Sequence, residues 1–219
     1  GARGYADEYE HHVREPDGRW VRLTRFGDQV RQASFARDPL YIEQGRDDGI
    51  YLLSLAGAPL GEIRRLPPGV SDLAASKLIF PQGTNAIERF ALSASGIYLI
   101  EATGGPTTLK YYDFLTAEWI APGKFHGDGD FSAIDELVVT EGDETLIRAV
   151  SHLDPYVWRR FNPGRDTNTV ATLPLRGATP AVFRDVEVKR ERVASRDGTL
   201  VPLDIIRRKG TRLNGNNPT

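Results

Sequence analysis

From Tyr9 onward the chain is a succession of short runs in which apolar and polar side chains alternate, with Gly, Pro, Asp, Asn and Ser separating one run from the next. A period of two sends successive side chains to opposite faces of an extended strand, so the pattern predicts many short strands joined by turns. Glu8 to Val13 and Arg19 to Leu23 flank Glu15-Pro16-Asp17-Gly18, where proline presets one backbone angle and glycine supplies a positive one; this predicts a hairpin. A second group of strands is expected near Val30 to Ala36, Leu40 to Gln44, Gly49 to Leu55 and Gly61 to Leu66. A third runs through Lys77 to Phe80, Ile87 to Leu92, Gly96 to Ala102, Leu109 to Phe114 and Trp119-Ile120, and a fourth through Glu136 to Thr140, Thr145 to Ser151, Tyr156 to Phe161 and Thr169 to Leu173. The best helical candidate, Val70 to Lys77, is short enough to be a single turn.

Groups of about four strands recurring every 40 to 50 residues or so fit propeller blades. Asp47-Asp48-Gly49-Ile50-Tyr51-Leu52-Leu53 is echoed by Ala94-Ser95-Gly96-Ile97-Tyr98-Leu99-Ile100, a turn followed by G-I-Y-L and an apolar continuation. Such a run suits a strand buried on both faces, in a stack of blades or in a two-sheet sandwich. The spacing favours the blades. At the C-terminal end, Val186-Glu187-Val188 and Val201-Pro202-Leu203-Asp204-Ile205-Ile206 alternate again around the turn Ser195-Arg196-Asp197-Gly198, which predicts a last hairpin.

Composition narrows the function classes. With 219 residues, 40% of them hydrophobic, the chain can bury a sizeable core, which argues against disorder. Its 28 basic and 30 acidic residues nearly cancel, leaving no global field to draw in nucleic acid or an anionic membrane, so neither is expected as a partner. No apolar run approaches the roughly 18 residues of a membrane span. The N-terminus lacks the basic-then-apolar pattern of a signal segment, and Gly1-Ala2-Arg3-Gly4 reads as an interior cut or a cloning scar rather than a natural start. The absence of Cys removes disulfides, thiolate catalysis and cysteine metal sites.

Several constellations invite chemistry. His11-His12 are adjacent on an expected strand and point to opposite faces, so chelation of one metal ion by both is disfavoured. His126-Gly127-Asp128-Gly129-Asp130, followed by Phe131-Ser132, lacks the alternating oxygen ligands and closing glutamate of a calcium loop and reads as a turn. Ser151, His152 and Asp154 supply the residue types of an acyl-transfer triad, but they are too close in sequence to converge, and no G-x-S-x-G is present. No catalytic, cofactor-binding or metal-binding residue and no cofactor is therefore expected on this chain. Arg159-Arg160, Arg184, Lys189-Arg190, Arg192, Arg196 and Arg207-Arg208-Lys209 make the last third basic, yet Asp185, Glu187, Glu191 and Asp204 are interleaved with them. That predicts an ion-paired solvated face, with interdomain contacts as the second reading. Trp20, Trp119, Trp158, Tyr111, Tyr112 and Tyr156 lie in expected strands, where packing is the default; stacking of a sugar or peptide needs them exposed together.

The order of features after residue 185 is strand, Ser195-Arg196-Asp197-Gly198-Thr199, a strand with Val201-Pro202-Leu203, basic residues, Lys209-Gly210, then Asn214-Gly215-Asn216-Asn217-Pro218. It resembles the approach to the catalytic domain in the prolyl oligopeptidase family of serine peptidases, and Ser151 to Pro163 is similar to a stretch of that family's last blade. Upstream of Ser151 the resemblance rests on order and spacing. It implies a mainly β fold: about three to four blades of a seven-bladed propeller over residues 1–182, then the first strands of an α/β-hydrolase domain over 183–219. It also implies an enzyme that hydrolyses short peptides after proline, with the nucleophile, aspartate and histidine C-terminal to Thr219. The segment itself would be inactive, serving as gate, size filter and interdomain seam. Proline-containing peptides and the remainder of the polypeptide are the implied partners, and the cytoplasm the implied compartment, with the periplasm as the alternative. A different reading, a free-standing β-rich module that binds peptide or glycan on a propeller or sandwich face, stays open on the strand-rich composition alone.

Overall fold

The computed structural model describes residues 9–35, 49–67, 69–102, 104–120, 133–140, 142–153, 156–164, 171–177 and 183–217. Over these the chain is almost wholly β. A hairpin of β1 (His12–Arg14) and β2 (Trp20–Arg22) comes first. Three four-stranded antiparallel meanders follow. The first contains β3 (Val30–Phe35), β4 (Ile50–Ser54), β5 (Glu62–Leu66) and β6 (Lys77–Phe80). The second contains β7 (Ala86–Leu92), β8 (Gly96–Ala102), β9 (Thr107–Asp113) and β10 (Glu118–Ile120). The third contains β11 (Ala133–Val139), β12 (Thr145–Val150), β13 (Val157–Phe161) and β14 (Ala171–Arg176). A long ribbon of β15 (Val186–Ala194) and β16 (Leu200–Arg208) ends the described chain.

One correction concerns the second strand group. Lys77 to Phe80, assigned from the pattern to the third group, pairs with β5 and closes the first meander. The hydrophobic pattern marks a strand there but carries no information on which neighbour it joins. The strand expected at Leu40 to Gln44 lies outside the described residues. The short candidate after Val70 is a single turn of 3-10 helix, Leu73–Ala75, capped by Asp72, whose side chain accepts from the Ala74 amide.

The sheets stack in chain order because their second strands are apolar on both faces. On β4, Ile50 and Leu52 enter a cluster with Leu23, Val30 and Leu66, and Val13 of the first hairpin packs against it. Tyr51 and Leu53 turn the other way and meet Ile87, Phe90, Ile97 and Leu99 of the second sheet. On β8 the alternation repeats: Ile97 and Leu99 face back, while Tyr98 and Ile100 join Leu109 and Tyr111 against Ile134, Ile147 and Phe161 of the third sheet. Three meanders sharing two inter-sheet cores form a serial stack, the relation between consecutive propeller blades, rather than a two-sheet sandwich.

Both copies of G-I-Y-L need their glycine for one steric reason. A Cβ on Gly96 would lie 2.3 Å from the Tyr112 carbonyl oxygen, and one on Gly49 would lie 2.8 Å from that of Leu66. In each case the third strand's backbone closes over the start of the second.

The first strands carry a recurring feature of their own. Each is bulged near its start, between Val30 and Gln32, Ile87 and Arg89, and Ile134 and Glu136. A bulge re-aims the side chains beside it. Gln32 thereby reaches the next sheet, donating to the Phe90 carbonyl at 2.7 Å and accepting from the Phe90 amide at 3.1 Å. Arg89 Nη1 donates to the Asp135 carbonyl at 3.2 Å.

Candidate functional site

Among the described residues, one place where chemistry-bearing residues from separate elements converge is the base of the β15–β16 ribbon. Its turn, Ser195-Arg196-Asp197-Gly198, is built like that of the first hairpin. Gly198 has φ +84° and Gly18 φ +88°, and the preceding Asp197 and Asp17 accept from the amides of Thr199 and Arg19. The amide donors hold Asp197 below the usual carboxylate range. Nine-residue strands in full register then carry side chains alternately to two faces. On one face Arg207 Nε donates to Glu187 Oε1 at 2.8 Å. On the other, Arg190 grips Asp204 with two bonds, Nε to Oδ1 at 2.7 Å and Nη2 to Oδ2 at 3.0 Å.

Asp204 has a second partner outside the ribbon. His152 Nε2, in the connection after β12, lies 3.2 Å from Asp204 Oδ2. The Arg190 guanidinium, and then His152, hold the Asp204 carboxyl below its ordinary range against the opposing effect of burial. Arg190 also rests on the turn between β8 and β9. A Cβ on Gly105, where φ is +140°, would come within 1.7 Å of Arg190 Nη2. One ion pair therefore touches both the second and third sheets. Beyond it, residues 191–203 are exposed, including Val193, Leu200, Val201 and Leu203.

The other sequence candidates disperse. Ser151 Oγ accepts from the Leu153 amide at 3.3 Å, His152 is engaged by Asp204, and Asp154 lies outside the described residues, as does the whole loop His126 to Ser132. His11 Nδ1 lies 2.8 Å from Thr24 Oγ1, and burial, followed by the charge of His12, pushes the His11 imidazole down. His12 starts β1 on the exposed side, opposite Arg22 in register. Of the basic residues, Arg160 pairs with Glu144, Arg207 with Glu187 and Arg208 with Asp185, while Lys209 Nζ donates to the Arg184 carbonyl. Arg159 is half-buried in the third sheet; its Nε meets no partner among the described residues, and burial depresses its pKa.

The aromatics divide into separate places. Tyr111 is buried against Tyr98, and burial drives both phenol pKa values upward. Tyr112 and Trp119 pack with Phe80 at centroid distances of 4.9 to 5.0 Å, bringing β9 and β10 of the second sheet against β6 of the first. Tyr156 and Trp158 flank Arg148, whose guanidinium is also bonded to Asp135. Trp20 is exposed on the first hairpin.

Sequence reasoning did not find the pairing of His152 with Asp204, nor the role of Gly105. Neither has a local signal, since both contacts join elements far apart in the chain. Asp143, between β11 and β12, was missed for the same reason. It accepts from Ser93 Oγ and the Ser95 amide, both at 2.7 Å, and from Ser95 Oγ, while Tyr98 donates to its carbonyl.

No family model and no curated protein matches this sequence. Solved structures do match it in shape. A prolyl endopeptidase, from a study of inter-domain dynamics in catalysis and specificity, superposes with a TM-score of 0.68 at 16% identity, covering 90% of this chain and 27% of that one. Oligopeptidase B from Trypanosoma brucei, with covalently bound antipain in a closed form, gives 0.66 at 14%, covering 92% and 28%. Apo prolyl oligopeptidase B from Galerina marginata gives 0.67 at 12%, covering 95% and 29%. No described helix is long and apolar enough to cross a membrane. The chain thus spans a little over a quarter of the length of these matches, and across most of its own length it has the fold of the corresponding segment of prolyl oligopeptidases and oligopeptidase B.

Proposed function

We propose that this chain is part of a serine-type peptidase of the prolyl oligopeptidase kind that hydrolyses short peptides after proline. Residues 1–182 belong to the later blades of its propeller, and residues 183–219 open its α/β-hydrolase domain. The observation that carries this reading is the serial stack of meanders leading into an exposed ribbon, in the fold of a matching quarter of these peptidases. The segment supplies the gate that restricts substrate size and the seam between domains. The nucleophile, base and acid are supplied by the rest of the polypeptide, and the exposed apolar tip of the ribbon is the surface on which that remainder packs.

A fluorogenic peptide with proline before the scissile bond tests it. A longer polypeptide that includes these residues hydrolyses the peptide and loses activity to a serine-reactive inhibitor, whereas purified 1–219 does neither. Sustained, inhibitor-sensitive turnover by 1–219, or none by the longer protein, overturns the reading. A free-standing binding module is the competing reading, supported by Trp119, which is 47% exposed beside Phe80 and Tyr112. It requires a compact, stable monomer that quenches its tryptophan emission on titration with peptide or oligosaccharide.

A further inference from the structure

The ribbon is a two-stranded element whose exposed half makes no core, and such hairpins are marginal on their own. Its half-buried residues, Val186, Glu187, Val188, Arg190, Asp204, Ile205 and Arg207, all lie in the half nearer the strand ends. Within that half, Glu187 and Arg207 bond to each other across the ribbon and so stiffen it without tying it to anything else. Asp204 is different: its Oδ2 is shared between Arg190 at 3.0 Å, on the neighbouring strand, and His152 at 3.2 Å, in the connection that follows β12 of the third sheet. Arg190 in turn lies against Gly105 in the turn between β8 and β9, where a Cβ would meet its guanidinium.

We propose that Asp204, Arg190 and His152 form a detachable clasp that sets the orientation of the ribbon against the second and third sheets, with docked and released states of the ribbon in equilibrium while the sheets stay folded. The side chains are only partly withdrawn from water, with relative exposures of 42% for His152, 21% for Asp204 and 22% for Arg190. Charge-assisted contacts at this exposure shift an equilibrium by several-fold to about tenfold, enough to bias two states and too little to lock one. Gly105 adds shape to the charge, because any side chain there displaces the guanidinium that orients Asp204. The inference concerns the ribbon of this chain and does not depend on the peptidase reading.

The absence of cysteine permits a direct measurement. Spin labels are placed on Thr199→Cys at the ribbon turn and Thr116→Cys in the turn between β9 and β10, and their distance distribution is read by pulsed electron resonance. One dominant narrow distance is expected for the otherwise unaltered chain. Asp204→Asn and His152→Ala each raise a second, broad population several-fold. The double variant raises it no further than Asp204→Asn alone, because both remove the same contact. Gly105→Ala has the same effect with both charges still in place. In the Asp204 and His152 variants the thermal transition of the sheets stays within a few degrees of the parent. A narrow distance that persists in Asp204→Asn and in His152→Ala overturns the clasp. So does a broad population that rises only in step with loss of the sheets' circular dichroism.

Discussion

Asp143 sits in the turn between β11 and β12, but its hydrogen-bond donors come from the turn between β7 and β8, so one carboxylate joins two sheets that share no strand. Burial pushes its carboxyl pKa up, but the hydroxyl and amide of Ser95 and the hydroxyl of Ser93 outweigh this and hold it below the usual range. Removing a charged acceptor strands its donors, so Asp143→Ala is expected to lower stability by about 2 kcal/mol in urea unfolding. The sign of the pH effect follows from the lowered value. Asp143 stabilises the fold fully above the unfolded-state pKa of about 4 and loses that contribution as pH falls through its lower folded value. Asp143→Asn should therefore flatten the acid limb of a stability-against-pH curve, and an unchanged limb would count against the assignment. A second residue-scale expectation concerns Gly96. Its missing Cβ is where the Tyr112 carbonyl and Tyr111 ring lie, so Gly96→Ala should cost roughly 2 to 3 kcal/mol, against a few tenths for Gly83→Ala, where a Cβ meets nothing.

At the scale of elements, strand positions were largely legible because period two is a local property. The turns at Asp17-Gly18 and Asp197-Gly198 were legible because Asp and Gly act on their own backbone. Partnership was not: Lys77-Leu78-Ile79-Phe80 reads the same whether it closes one sheet or opens the next, and only its pairing with β5 decides. The bulges were invisible for a related reason. Val30-Arg31-Gln32, Ile87-Glu88-Arg89 and Ile134-Asp135-Glu136 share a pattern of one apolar and two polar residues too common to signal anything before the registers are known. Their consequence is testable at Gln32, whose amide satisfies both backbone groups of Phe90. Gln32→Leu leaves both unpaired and is expected to lower stability by about 1 to 3 kcal/mol, with faster hydrogen exchange at the Phe90 amide as its local signature.

The whole molecule presents a filled stack with an unfilled appendage. Val193, Val201 and Leu203 lie on one face of the ribbon and are each nearly half exposed. An apolar strip on an open-edged hairpin favours association. Light scattering of the purified chain is expected to show concentration-dependent self-association, reduced by Val201→Lys with Leu203→Lys while the sheets keep their melting temperature. The stack could be anticipated from the recurring spacing of the four-strand groups, whereas the two G-I-Y-L runs showed only that their strands are apolar on both faces, which a sandwich would also explain. The convergence of His152, Asp204, Arg190 and Gly105 could not, because it depends on how a ribbon lies across two sheets rather than on any spacing within one.

The two-faced strands also bear on how the molecule comes apart. Ile50 and Leu52 look one way along β4 while Tyr51 and Leu53 look the other, and β8 divides its side chains likewise, so no sheet owns the oil it sits in. Melting a middle layer would strip two neighbours at once, whereas an outermost layer can peel away at the expense of one. Native-state hydrogen exchange should accordingly run as a gradient inward from the ends of the row, with the amides of β8 the last to yield.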